Sequence, residues 1–105
     1  MDLPRVAETV VKQYVPYMYT VYILKTSSNT LYIGQTNDLE KRLLAHKNKT
    51  RESAKYMRYF TSFELVYTET KRTRSAAMKR EAALKRLTRG KKDELIRVKG
   101  MDGIV

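Results

Sequence analysis

The chain has no cysteine and no tryptophan, a single histidine (His46), two prolines and four glycines. Without cysteine there is neither a disulfide framework nor a thiolate zinc site, and one histidine cannot complete a nitrogen-ligated one, so any metal must be held mainly by oxygen. Long apolar runs are missing as well, since none approaches the roughly 20 residues that a membrane span needs. The N-terminal segment contains Asp2 and Glu8 and no continuous apolar core between Leu3 and Val15, so it does not read as a signal peptide. A cytoplasmic location is expected, with activity at the nucleoid if the protein is bacterial. Acidic residues are scarce, 11 against 22 Lys and Arg, for a net charge of +11. A protein this basic attracts polyanions by releasing their counterions.

The scarcity of acid is uneven. Residues 1–40 carry three basic side chains (Arg5, Lys12, Lys25) and four acidic ones, whereas residues 41–105 carry 19 and seven. Between Lys71 and Lys92, ten Lys or Arg accompany one acid, Glu81. What is present in quantity is aromatic and aliphatic surface: eight Tyr, two Phe and a hydrophobic fraction of 42% in 105 residues. That suffices for one compact core.

Residues 1–17 read as a separable extension, with Val6, Val10, Val11 and Tyr14 at helix-like spacing before Pro16. From Tyr19 to Lys25 the chain is β-branched and aromatic, and Leu31-Tyr32-Ile33-Gly34 resumes that chemistry after Thr26-Ser27-Ser28-Asn29, which predicts a β-hairpin. If positions 25 and 29 flank the turn, Tyr22 lies opposite Tyr32 on one face. Thr36-Asn37-Asp38 supplies cap chemistry for a helix running through Leu39, Leu43 and Leu44 to about His46. Residues 47–60 read as a basic, aromatic loop. Phe63, Leu65 and Tyr67 alternate with polar neighbours, so Ser62 to Thr70 is predicted as a third strand. A second helix is predicted over residues 75–88, stopped by Gly90, and Asp93 to Val98 allows a further short one. The expectation is an α+β protein, a small three-stranded antiparallel sheet flanked by helices. The domain would span residues 18–98, with residues 99–105 as a flexible tail.

Several polar side chains border apolar stripes. Arg42 and His46 stand three and seven residues after Leu39, and Glu81 lies between Ala77 and Leu84. Spacing alone leaves Glu81 as either a structural ion-pair partner or a metal ligand. Taken one at a time, the other positions also have plain structural readings: Tyr22 and Tyr32 as sheet residues, Arg42 as a surface cation beside Lys41, His46 as a helix-end histidine and Gly34 as a strand-end bend.

Taken together they form an ordered set. Thr20-Val21-Tyr22 is followed after nine residues by Tyr32-Ile33-Gly34, then by Thr36-Asn37-Asp38-Leu39 leading to Arg42 and His46, and later by Ala77, Glu81, Leu84 and Lys85. This order and spacing resembles the GIY-YIG nuclease domain over about residues 18 to 96, in particular the short stand-alone bacterial members. Thr20-Val21 replaces the Gly-Ile of the name-giving triplet but keeps its tyrosine. The resemblance implies a phosphodiesterase using one divalent ion, Mg²⁺ or Mn²⁺, with Glu81 as the only protein ligand and water and phosphate completing the shell. It implies that Arg42 clamps the phosphate, that Tyr22 takes or aligns the proton of the attacking water, that Tyr32 holds the geometry, and that His46 is an auxiliary base or a hydrogen-bond partner. Lys41 and Gln35 match positions that neighbour the site. A phenol with pKa near ~10 is roughly one part in a thousand ionised at neutral pH, so a tyrosine base requires that metal, Arg42 or other cations lower its pKa, and a rate rising toward high pH.

DNA is the expected partner, with neither a membrane nor a small-molecule cofactor. Lys41, Lys55, Arg58, Lys79, Lys85 and Arg86 are candidate backbone contacts, and Tyr56, Tyr59 and Phe60 either stack bases or fill a loop-side core. A chain of this length has no room for a separate recognition domain, which points to cleavage with little base specificity, selected by DNA structure, in repair or recombination. A DNA-binding module lacking catalysis and an RNA substrate are the alternatives.

Overall fold

The computed structural model of the protein describes residues 18–48 and 62–100. Expectations for the extension 1–17, for the loop that includes Lys55, Tyr56, Arg58, Tyr59 and Phe60, and for residues 101–105 lie outside the described residues.

Three strands form one antiparallel sheet: β1 (Tyr19–Thr26), β2 (Leu31–Thr36) and β3 (Phe63–Lys71), in the order β2-β1-β3. β1 is central because its middle is apolar on both faces. Val21, Tyr22, Ile23 and Leu24 are all fully buried, a run that only a strand covered on two sides accommodates. Helix α1 (Leu39–Asn48) covers one face, where Leu39 and Leu43 pack on Tyr22, Leu24 and Leu65. Helices α2 (Arg74–Lys85) and α3 (Arg89–Val98) cover the other, where Ala77 and Leu84 pack on Val21, Ile23, Ile33 and Tyr67, with Leu95 and Ile96 alongside. The architecture is the expected α+β sheet flanked by helices.

The hairpin register differs from the expected one by two residues. Tyr22 pairs with Gly34, and Tyr32 pairs with Leu24. The turn is longer than the simplest closure: Asn29 adopts φ +63°, its N–H donates to the Thr26 carbonyl, and the Thr26 hydroxyl accepts from Ser28 N and Thr30 N. Side chains alternate with period two, so a shift by an even number preserves the face, and Tyr22 and Tyr32 remain neighbours along a diagonal.

β3 also departs from simple alternation. Its pairing with β1 shifts between Ile23↔Tyr67 and Leu24↔Leu65, a bulge that places one extra residue in β3. Leu65 therefore faces α1 while Tyr67 faces α2 and α3, instead of sharing one face as their spacing suggests. The C-terminal helix is divided as well. α2 ends at Lys85 rather than running to residue 88, because the Thr88 hydroxyl accepts from Lys91 N and starts a new helix. Gly90, expected as a stop, sits inside the first turn of α3, and it is Gly100, at φ +53°, that follows the end of α3. Arg89 pins the new helix to the hairpin, its guanidinium donating to the Asn29 carbonyl at 2.7 Å and to Asn29 Oδ1 at 3.3 Å.

Candidate functional site

The site grows out of the pairing of Tyr22 with Gly34. A Cβ on Gly34 would lie 2.7 Å from the Tyr22 hydroxyl oxygen and 2.8 Å from Cζ, so the ring crosses β2 in space that only glycine leaves open. Gly34 is thus not a strand-end bend; it is an interior residue of β2 that lets a buried ring carry its hydroxyl from the central strand out over an edge strand.

α1 brings the next two groups. Thr36 Oγ1 accepts from Asp38 N, and Asp38 Oδ1 then caps the helix by accepting from Lys41 N at 3.1 Å. With the helix start set, the four-residue interval puts Arg42 and His46 on one side of it. His46 is buried, and its Nε2 lies 3.1 Å from the Tyr22 hydroxyl. The Tyr32 ring stands edge-on to the imidazole at 5.4 Å and lies 6.3 Å from the Tyr22 ring, and Phe63 closes on the imidazole from another side at 6.1 Å.

Electrostatics define the resting protonation. Burial pushes the Tyr22 phenol above its ordinary value, Tyr32 and the negative charge of Glu81 add to the rise, and Arg42 opposes it by charge and by hydrogen bonding. The expected lowering is therefore outweighed in the protein alone, and Tyr22 is a neutral phenol. Burial, helped by the positive charge of Arg42, lowers His46 to about 4, so the imidazole is neutral too. In the tautomer that carries its proton on Nδ1, His46 accepts from the Tyr22 hydroxyl through Nε2.

Glu81 comes from α2, on the opposite side of the sheet, yet its charge is felt at the Tyr22 hydroxyl. Its carboxylate is partly buried, with the side chain 22% exposed, and Oε2 is 2.7 Å from Lys85 Nζ. Among the described residues no three His, Asp or Glu side chains converge. A lone carboxylate with open coordination fits an ion that keeps several waters and takes oxygen from a phosphate, as Mg²⁺ does, and does not fit zinc. The structure thus gathers Tyr22, Tyr32, Arg42 and His46, with Glu81 acting from α2. Lys41, Lys79, Lys85 and Arg86 are exposed, whereas Lys55 and Arg58 are outside the described residues.

Two placements were not legible beforehand. Gln35 pairs with Val21 and so lies on the face of α2, away from Tyr22, with its Oε1 buried and unpartnered among the described residues. A brace also joins β3 to α2: Glu69 accepts from the Tyr67 hydroxyl at 2.8 Å and from Arg80 Nε at 2.9 Å, and pairs with Lys71 at 2.7 Å. In the sequence the one trace of this brace is Arg80, which flanks the apolar stripe of α2 on the side opposite Glu81.

This fold and ordered set define a GIY-YIG domain. Residues 18–93 match the GIY-YIG catalytic domain, and the chain belongs to that family, whose domain is of nuclease type and implies DNA as substrate. It is similar to a UPF0213 protein of Natronomonas pharaonis, 45% identical over 76 residues that make up 72% of this chain and 87% of that one. A UPF0213 protein of Clostridium perfringens is 44% identical over 84 residues, 80% and 88% of the two chains. Among solved structures, the solution NMR structure of a UPF0213 protein from Bacillus halodurans matches with a TM-score of 0.53 and 35% identity, covering 79% of this chain and 86% of that one.

Proposed function

We propose that the protein is a divalent-metal-dependent DNA endonuclease that hydrolyses phosphodiester bonds with little base specificity and selects its substrates by DNA structure, in repair or recombination. The observation that supports this most is the buried Tyr22–His46 hydrogen bond held beside Arg42 within a nuclease-type domain. Arg42 holds the non-bridging oxygens of the scissile phosphate and offsets the charge that builds as water attacks phosphorus. The Tyr22 oxygen receives a proton from that water while its own proton passes to His46 Nε2, which is neutral and can accept it. Tyr32 packs against the imidazole and keeps it on Tyr22. A divalent ion on Glu81, when bound, supplies Lewis-acid neutralisation of the phosphate.

The test is cleavage of labelled duplex, single-stranded, flap and fork DNA with Mg²⁺ or Mn²⁺ by the parent, Glu81→Ala and Tyr22→Phe. Cutting by the parent alone, at a rate at least about a hundredfold above either variant, is expected. Binding without cleavage by any form would leave a DNA-binding module in place of a nuclease.

A further inference from the structure

We propose that Lys85 is a placeholder for the metal: its ammonium occupies the Glu81 carboxylate in the free protein and moves to the DNA phosphate when a divalent ion takes that carboxylate. This rests on the reading of Glu81 as the metal ligand. Lys85 Nζ lies 2.7 Å from Glu81 Oε2, a short charge-assisted hydrogen bond that takes up one oxygen of the carboxylate on which the ion would sit. The two side chains are unequal in exposure, 55% for Lys85 against 22% for Glu81, so the ammonium reaches in from solvent while the carboxylate stays in place. A flexible four-carbon stem lets the ammonium leave without disturbing the helix.

Competition for one oxygen has a defined consequence. Glu81 is the sole acid between Lys71 and Lys92, so no second carboxylate in that stretch is available to accept either cation. An ion that binds through Oε2 displaces Lys85, and the freed ammonium then stands beside a doubly charged ion that repels it. A DNA phosphate relieves both penalties, by accepting Lys85 and by lending an oxygen to the ion. Metal and DNA therefore bind with positive coupling, and by linkage each strengthens the other by the same factor. Exposed candidate contacts such as Arg86 lack this coupling, because they contribute to DNA affinity alone.

The experiment measures Mn²⁺ binding to the free full-length protein by electron paramagnetic resonance, and binding of fluorescein-labelled duplex DNA by anisotropy, in EDTA and again with Ca²⁺ in place of the catalytic ion. The parent is compared with Lys85→Met, Lys85→Arg, Arg86→Ala and Glu81→Gln. Lys85→Met is expected to bind Mn²⁺ about two- to fivefold more tightly, the value of releasing an exposed ion pair, and to bind DNA more weakly with Ca²⁺ present but not in EDTA. Lys85→Arg should bind Mn²⁺ no better than the parent, and Arg86→Ala should lose DNA affinity without changing Mn²⁺ affinity. If Glu81→Gln weakens Mn²⁺ binding while Lys85→Met leaves it unchanged, the pair only stabilises the helix and the placeholder is overturned. Should Glu81→Gln leave Mn²⁺ binding unchanged, Glu81 is not the ligand and the underlying reading falls with it.

Discussion

At the scale of single residues the chemistry depends on one missing side chain. Gly34→Ala places a carbon 2.7 Å from the Tyr22 hydroxyl oxygen, and the ring must give way. Because the ring is buried, it moves as a unit and its hydroxyl leaves His46. The variant is expected to keep the circular dichroism of the parent and to lose about tenfold or more in cleavage rate, as measured on the same labelled substrates. Parent-like cleavage would show that the Tyr22–His46 contact is dispensable. A second expectation concerns pH. The sequence-based expectation of a rate rising toward alkaline pH assumed a phenolate, but burial holds Tyr22 neutral and His46 at about 4. A relay through neutral groups needs only an unprotonated imidazole, so the single-turnover rate should be flat between about pH 6 and 9. A log-linear climb to pH 9 would restore the phenolate. The four-residue interval made Arg42 and His46 legible as neighbours from sequence, whereas the fit of Tyr22 over Gly34 was not, since it depends on exact pairing.

Elements determine which of these residues can meet. Parity decides the hairpin: the register differs by two from the one expected from the sequence, and the period of a strand keeps Tyr22 and Tyr32 on one face. β3 had no such protection, because a bulge inserts one residue and moves Tyr67 to the far side of the sheet from Leu65. That displacement has a use, for it aims the Tyr67 hydroxyl at Glu69 and so at Arg80 on α2, the residue beside Glu81. Burial pushes the Glu69 carboxyl up, but hydrogen bonds from Lys71, Arg80 and Tyr67 outweigh it and hold the group down at about 2. A carboxylate whose folded pKa is depressed contributes stability above its unfolded value, about 4.3, and loses that contribution as pH falls toward the folded one. Discounted for solvent screening, the brace is worth of order 1 kcal/mol. Glu69→Gln should therefore melt about 4–8 °C below the parent at neutral pH, with the gap closing as pH falls toward about 2. An equal gap at all pH values would assign the loss to packing and not to the carboxylate.

Over the whole molecule the strongest influence on binding is a net charge of +11, concentrated beyond residue 40 and, among the described helices, greatest on α2. Charge of this kind sets affinity without selecting sequence, since counterion release is indifferent to the bases. A surface engaging about five phosphates gives a slope near −4.5 for log K against log salt, which anisotropy titrations from low to physiological salt measure directly. Lys79→Ala or Arg86→Ala should each lower affinity evenly across unrelated duplexes and flatten the slope by about one. Arg42→Ala belongs to a different category, because its guanidinium acts on the Tyr22 hydroxyl. Its substitution should depress the cleavage rate far more than it weakens binding. If Arg42→Ala instead flattened the salt slope by about one and left the single-turnover rate intact, Arg42 would be one more backbone contact. The charge would then be a single uniform field, with no cation reserved for the transition state.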